Sequence, residues 1–90
     1  MNDYILYHMI LDLLETLKNN YNKNNYLLRL EEYIEWSKLS IRRFSNNSKD
    51  YDKYMEKNLI FFQELQADIL LDDIEKVKNQ LTLYISKHQI

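Results

Sequence analysis

Apolar residues recur along this chain with the period of an α-helix rather than the alternation of a β-strand. The first segment carries a stripe spaced by four, three and four residues, formed by Leu6, Ile10, Leu13 and Leu17. Asp3 stands just before this stripe, where an aspartate can cap the free amides of a first helical turn. The pattern therefore predicts a helix over about residues 3–19, ended by the asparagine-rich segment 19–25. Because asparagine tolerates the left-handed conformation, we expect it to close this helix in place of glycine.

A second helix is predicted over about residues 26–44, in which acidic residues precede basic ones, as the helix dipole favours. Its inward stripe consists of Leu27, Leu30, Ile34, Ile41 and Phe44, with Ser37 at a small position. Three aromatic residues, Tyr26, Tyr33 and Trp36, fall beside that stripe rather than on it. We expect these rings either to pack at the margin of the core or to stay exposed as anchors for a partner protein.

The next segment keeps a heptad spacing at Tyr51, Met55, Asn58, Phe62, Leu65 and Ile69. Asn58 is the one polar member of this heptad seam, and we expect it at the edge of a bundle, in contact with water. A lone asparagine in such a seam can also fix the register of a coiled-coil dimer, which is the alternative interpretation.

The apolar phase shifts near Leu71, after which the inward set becomes Leu70, Ile74, Val77, Leu81 and Tyr84. At 3.6 residues per turn, this shift rotates the buried face by about 140°. Asp72 followed by Glu75 also fits a capping box. We therefore predict two helices, over about residues 49–71 and 73–88. The alternative is one bent helix over 49–88 that buries its apolar face against a second copy of the chain.

Together these segments predict an all-α fold, a small up-and-down bundle of three to four helices that forms a single domain over residues 1–90. The composition agrees, because 46% of the residues are hydrophobic and the chain has no glycine, proline or cysteine. Tight β-hairpins and phosphate-binding loops need glycine, whereas disulfide scaffolds and cysteine zinc sites need cysteine. The composition therefore excludes those classes of protein.

Candidate catalytic and metal-binding groups are few. His8 and His88 stand near opposite ends of the chain, and the serines have no recognisable catalytic setting. His8 and Asp12 share one helical face, but a di-iron bundle would need glutamates three residues before its histidines, and none occurs. We therefore expect no enzymatic activity, no metal and no cofactor. With 12 basic and 14 acidic residues the net charge is −2, which gives no general attraction to nucleic acid.

One charged segment departs from the mixed pattern of the rest of the chain. From Asn58 to Glu75 there is no lysine or arginine, but there are five carboxylates, Glu64, Asp68, Asp72, Asp73 and Glu75. The first three are spaced by four residues, and like charges at that spacing destabilise a helix. Glu64 and Asp68 also oppose the dipole in the later half of the third helix. We expect an uncompensated acidic surface here, with an ordinary solvated helix face as the alternative.

This surface predicts a partner-binding site made of the five carboxylates and anchored by the side chains of Tyr33, Trp36 and Phe61. The function that fits is a non-catalytic inhibitor of the immunity-protein or antitoxin type, which blocks a basic partner such as a toxin nuclease. The alternatives are a phage-encoded anti-defence protein and a structural or regulatory homodimer joined through the heptad seam.

The expected location is the cytoplasm. No segment is apolar over the length that a membrane span needs, and residues 1–3 lack the positive charge with which a signal peptide begins. We therefore expect neither a membrane partner nor secretion.

Overall fold

The computed structural model describes residues 3–44 and 49–87, which form four α-helices and, within those ranges, no strand. The helices are α1 (Asp3–Asn19), α2 (Lys23–Phe44), α3 (Lys49–Leu70) and α4 (Ile74–Lys87). The predicted all-α bundle is confirmed, and the predicted helix bounds agree within one residue except at the start of α2. Within the described ranges, none of the helices combines the length and the hydropathy needed to cross a membrane.

Helices that follow one another in the sequence pack side by side, and α1 closes the bundle against α4. Between α2 and α3, the ring centroids of Tyr33 and Phe62 lie 5.6 Å apart. Between α3 and α4, the ring centroids of Phe61 and Tyr84 lie 5.4 Å apart. Second contacts show that these neighbouring helices are antiparallel, since Asp68 lies 3.3 Å from Lys76 and Gln66 donates to Glu31 over 3.1 Å. A residue one turn after Phe61 therefore lies at the level of a residue one turn before Tyr84.

Among the described residues, the core is one cluster of twelve buried side chains drawn from all four helices. They are Leu6, Ile10, Leu13, Leu17, Tyr26, Leu30, Ile34, Phe62, Leu65, Ile69, Val77 and Leu81. Burying a large apolar side chain stabilises a fold by about 1.5–3 kcal/mol, so this cluster is the main source of stability. All four residues of the stripe predicted for α1 belong to it.

The heptad seam of α3 is buried inside the protein's own bundle. Phe62, Leu65 and Ile69 belong to the core, and Met55 is 1% exposed. The side chain of Tyr51, the first residue of the seam, lies outside the described residues. Other helices of the same chain therefore cover the described part of this seam, and the alternative of a homodimer stays a prediction.

The prediction that Asn58 reaches water at the edge of the bundle is also wrong, since Asn58 is 7% exposed. Its amide nitrogen Nδ2 lies 3.8 Å from Sδ of Met55, one turn earlier on α3. Ser37, which is fully buried, lies one turn after Tyr33 on α2 and therefore at the level of Asn58.

α2 begins at Lys23, three residues earlier than predicted, because Asn22 caps it. The side-chain oxygen Oδ1 of Asn22 accepts a hydrogen bond from the backbone amide of Asn25 over 3.1 Å. Asparagine in this connection therefore starts a helix rather than closing one in the left-handed conformation. Among the described residues, the only positive φ belongs to Asp72.

Tyr26 lies on the inward face of α2, one turn before Leu30, and not beside that face as predicted. Tyr26 is 1% exposed, and its hydroxyl donates a hydrogen bond to the backbone carbonyl of Leu13 on α1 over 3.0 Å. The inward stripe of α2 then continues through Leu30 and Ile34, while Leu27 packs against the core only partly buried.

A Schellman turn separates α3 from α4, so the alternative of one bent helix is wrong. Asp72 has φ 58°, its amide donates to the carbonyl of Ile69 over 2.9 Å, and the Asp73 amide donates to the carbonyl of Asp68 over 2.9 Å. Asp72 thus occupies the position where glycine is preferred. The cap of α4 is Asp73, whose Oδ1 accepts from the Lys76 amide over 3.3 Å. The predicted capping box of Asp72 and Glu75 is therefore wrong by one residue.

Candidate protein-binding groove

Three of the five carboxylates predicted to form an uncompensated acidic surface are paired with lysines. Asp68 is buried and lies 3.3 Å from Nζ of Lys76 on α4. Asp72 lies 3.0 Å from Nζ of Lys23 at the start of α2. The third pair joins neighbouring turns of α4, where Nζ of Lys78 lies 3.5 Å from Oε1 of Glu75. The prediction of an uncompensated surface is therefore wrong for these three, because the fold brings lysines to them.

The other two carboxylates have different surroundings. Asp73 caps the first turn of α4, which uses one of its oxygens. Glu64 is exposed on α3, and among the described residues no lysine or arginine forms an ion pair with it. Among the described residues, Glu64 is thus the one member of the predicted acidic set that neither pairs with a lysine or arginine nor caps a helix.

The three predicted aromatic anchors lie on two helices. Phe61 is half-buried on α3, with its ring 5.4 Å from Tyr84 and 6.1 Å from Phe62. Tyr33 and Trp36 are half-buried on α2, and the hydroxyl of Tyr33 donates to Asp12 on α1 over 2.9 Å. The structure therefore brings Phe61 together with Glu64 but directs Tyr33 toward α1.

The Tyr33 hydroxyl belongs to a polar cluster that joins α1 to α2. The Arg29 guanidinium donates to Asp12 over 2.8 Å and to the Thr16 hydroxyl over 3.0 Å. Burial, reinforced by the hydrogen bond to Asp12, raises the pKa of Tyr33 to about 12. Asp12 thus pairs with an arginine, and no group of three or more metal-ligating side chains occurs among the described residues. This cluster holds two helices together.

A groove of about 340 Å³ lies between α3 and α4. Its described lining residues are Phe61, Glu64, Gln80, Leu83, Tyr84 and Lys87. Leu83 is 56% exposed, and Ile60, which precedes Phe61 on the outer side of α3, is 53% exposed. Leu83 therefore remains largely in water beside the Phe61–Tyr84 pair, as an interface with another protein would require, whereas Ile60 is not among the described residues that line the groove.

Gln80 gives the groove an unusual polar feature. Its side-chain oxygen Oε1 is buried and has no hydrogen-bond partner among the described residues. Leaving a buried acceptor without a donor costs about 1–3 kcal/mol. Because Phe61 faces Tyr84, Glu64 lies at the level of Gln80, so two acceptor groups occur at the same end of the groove.

A more open depression continues from this groove along the outer side of α4. It shares Gln80 and Leu83 with the groove and also contacts Asp73, Glu75 and Lys76. The two concavities together bring four of the eight predicted partner-binding residues to one side of the protein, namely Phe61, Glu64, Asp73 and Glu75. Sequence periodicity missed Leu83 and Gln80, although Leu83 lies off the inward stripe of α4 and is apolar.

The groove combines an aromatic floor, an aliphatic wall and a carboxylate, an arrangement suited to holding an apolar and cationic segment of another molecule. No protein-family model matches this chain, and comparisons with curated proteins and with solved structures find no match either. The functional conclusion therefore comes from the geometry.

Proposed function

We propose that the protein is a small non-catalytic binding module, an inhibitor of the immunity-protein or antitoxin type that blocks a basic partner protein. The observation that carries the proposal is the position of Glu64, a carboxylate without a cation, beside the exposed Leu83 and the Phe61–Tyr84 pair. The contact surface is the α3–α4 groove together with the adjoining depression on α4.

The apolar part of this surface supplies most of the affinity. Leu83 is more than half exposed, and burying such a side chain contributes about 25 cal/mol for each Å² removed from water. Aromatic and aliphatic anchors near the centre of a contact, surrounded by polar groups, are typical of interface hot spots. Glu64 stands beside the apolar floor and adds charge selectivity for a basic partner.

The remaining acidic groups attract a basic partner less strongly than an uncompensated acidic surface would. The pairs Lys23–Asp72 and Lys78–Glu75 are largely exposed, and exposed pairs of this kind contribute about 0–1 kcal/mol each. A strongly basic partner can therefore displace those lysines at a small energetic cost. Opposite charge then acts mainly on the association rate, which falls as salt rises.

The test is to isolate the partner from the native host with the whole protein as bait and to measure its affinity for variants. Glu64→Lys weakens binding about tenfold at low salt, because it places a cation against a basic surface. Leu83→Asp weakens binding about tenfold or more, because it removes an apolar anchor.

Each variant has a matched control on the same protein. Glu56→Lys makes the same charge change at an exposed position two turns away on α3, and Leu28→Asp changes a leucine that is 64% exposed on α2. Both controls retain affinity within about twofold. If the variants and the controls lose affinity equally, or if neither loses affinity, the groove is not the binding site.

A further inference from the structure

We infer that the end of the α3–α4 groove formed by Glu64, Gln80 and the Phe61–Tyr84 pair is a pocket for an arginine side chain of the partner. The inference rests on the proposed function and specifies the chemical group that anchors the partner. Two acceptors and an aromatic surface meet there, and the arginine guanidinium is the cationic group that uses both.

The acceptors come from both helices. The Glu64 carboxylate has no ion-pair partner among the described residues, and Oε1 of Gln80 is buried without a described donor. Gln80 lines the groove, so a rotation of its terminal amide would bring this oxygen within reach of a bound N–H group and place the NH₂ group at the position that Oε1 now occupies.

The aromatic pair supplies the second half of the pocket. The rings of Phe61 and Tyr84 are inclined by 39° at 5.4 Å, and both side chains are partly exposed. A guanidinium group stacks on such rings through cation–π attraction, which strengthens when the site is shielded from water. Leu83 is positioned to cover the aliphatic part of an arginine side chain, which also buries part of its own exposed surface.

Arginine fits this site better than lysine. Its planar guanidinium has five N–H donors, so it can bind a carboxylate through two parallel hydrogen bonds and still donate to a neighbouring amide oxygen. Lysine has a compact and strongly hydrated ammonium group that stacks poorly.

Lys87 is the one cation among the described lining residues, and it lies at the opposite end of the groove. It follows Gln80 by two turns of α4, a separation of about 10 Å along the helix axis. Its repulsion of a bound guanidinium is therefore weak. Lys87→Gln is expected to tighten arginine binding by about twofold or less.

The experiment titrates the ¹⁵N-labelled full chain with N-acetyl-L-arginine amide at low salt and follows the amide resonances by NMR. We expect saturable, millimolar binding with the largest shifts at residues 61, 64, 80 and 83. The matching citrulline derivative, which has the same shape without the charge, produces no saturable shift. The matching lysine derivative binds at least about threefold more weakly.

Two variants assign the effect to the pocket, and circular dichroism confirms that both remain folded. Glu64→Gln weakens arginine binding at least about fivefold, because a charged acceptor becomes neutral. Gln80→Leu weakens it by about twofold to fivefold while raising the thermal midpoint, because it removes the buried acceptor. Glu56→Gln, the control on α3, leaves the binding unchanged.

The inference is overturned if no saturable shift occurs at the pocket, if the citrulline or lysine derivative binds as well as arginine, or if Glu64→Gln has no effect. These outcomes do not depend on the partner protein. If arginine binds here but no host protein engages the groove, the proposed inhibitory function fails while the pocket stands.

Discussion

The Tyr26 hydroxyl bonds to the Leu13 carbonyl across the α1–α2 interface, and Tyr26→Phe removes that bond while keeping the ring. Leu13 lies inside α1, so its carbonyl also serves the helical backbone and is not left without a donor. The expected cost at pH 8 is therefore that of one net hydrogen bond, about 1 kcal/mol in the free energy of unfolding. For a domain of about this size, the same change lowers Tm by about 4–8 °C.

At high pH, Tyr26→Phe also has a stabilising effect, which opposes the loss of the hydrogen bond. Burial, with a smaller effect from the nearby charge of Asp12, raises the pKa of Tyr26 above its usual value of 10.0. Above pH 10 the unfolded chain ionises this tyrosine while the folded protein keeps it protonated, so the wild-type protein loses stability as the pH rises. At pH 11 this loss is about 1.4 kcal/mol, and the phenylalanine variant does not have it.

The two effects cancel near pH 11. Urea unfolding followed by circular dichroism should show the variant about 1 kcal/mol less stable at pH 8 and as stable as the wild type, or slightly more stable, at pH 11. If the difference between the two proteins is the same at both pH values, either the hydroxyl is not buried as described or its hydrogen bond is not made.

Three further predictions concern the α3–α4 turn and the assembly state. Asp72→Gly should change the free energy of unfolding by no more than about 1 kcal/mol, because glycine removes the strain of a positive φ while the exposed pair with Lys23 is lost. Asp72→Val should destabilise by at least about 1–2 kcal/mol in thermal unfolding, and equal stability of the two variants would contradict the left-handed turn. Asp73→Ala should cost about 1 kcal/mol in urea unfolding through loss of the α4 cap, and a neutral result would mean that the cap is not formed. Sedimentation equilibrium should give a mass that does not change with concentration, since the heptad seam is buried within the chain; a stable dimer would require another interface.

The fold was predictable where periodicity alone decides the outcome. Leu6, Ile10, Leu13 and Leu17 form an unbroken helical stripe, so α1 and its buried face follow directly from the sequence. Tyr26 stands one turn before Leu30, at the spacing of the inward stripe, so its burial also follows from periodicity. The start of α2 does not, because it depends on one capping hydrogen bond from Asn22.

The site was less predictable, because ion pairs depend on which helices become neighbours. Lys76 and Asp68 stand eight residues apart in sequence, and only the turn at Asp72 brings them to 3.3 Å. The missing donor of Gln80 Oε1 was unpredictable for the same reason, since no local pattern indicates whether a donor lies across the α3–α4 contact. Glu64 and Phe61 were predictable as candidates, but their association with Leu83 required the packing of α3 against α4.

The most direct test of the central claim is to map the contact surface on the whole protein bound to the partner isolated from its host. Amide hydrogen exchange compared between the free and bound protein should show protection concentrated in residues 60–64 and 80–87. Protection confined to α1 and α2, with the α3–α4 groove exchanging as in the free protein, would contradict the proposed function.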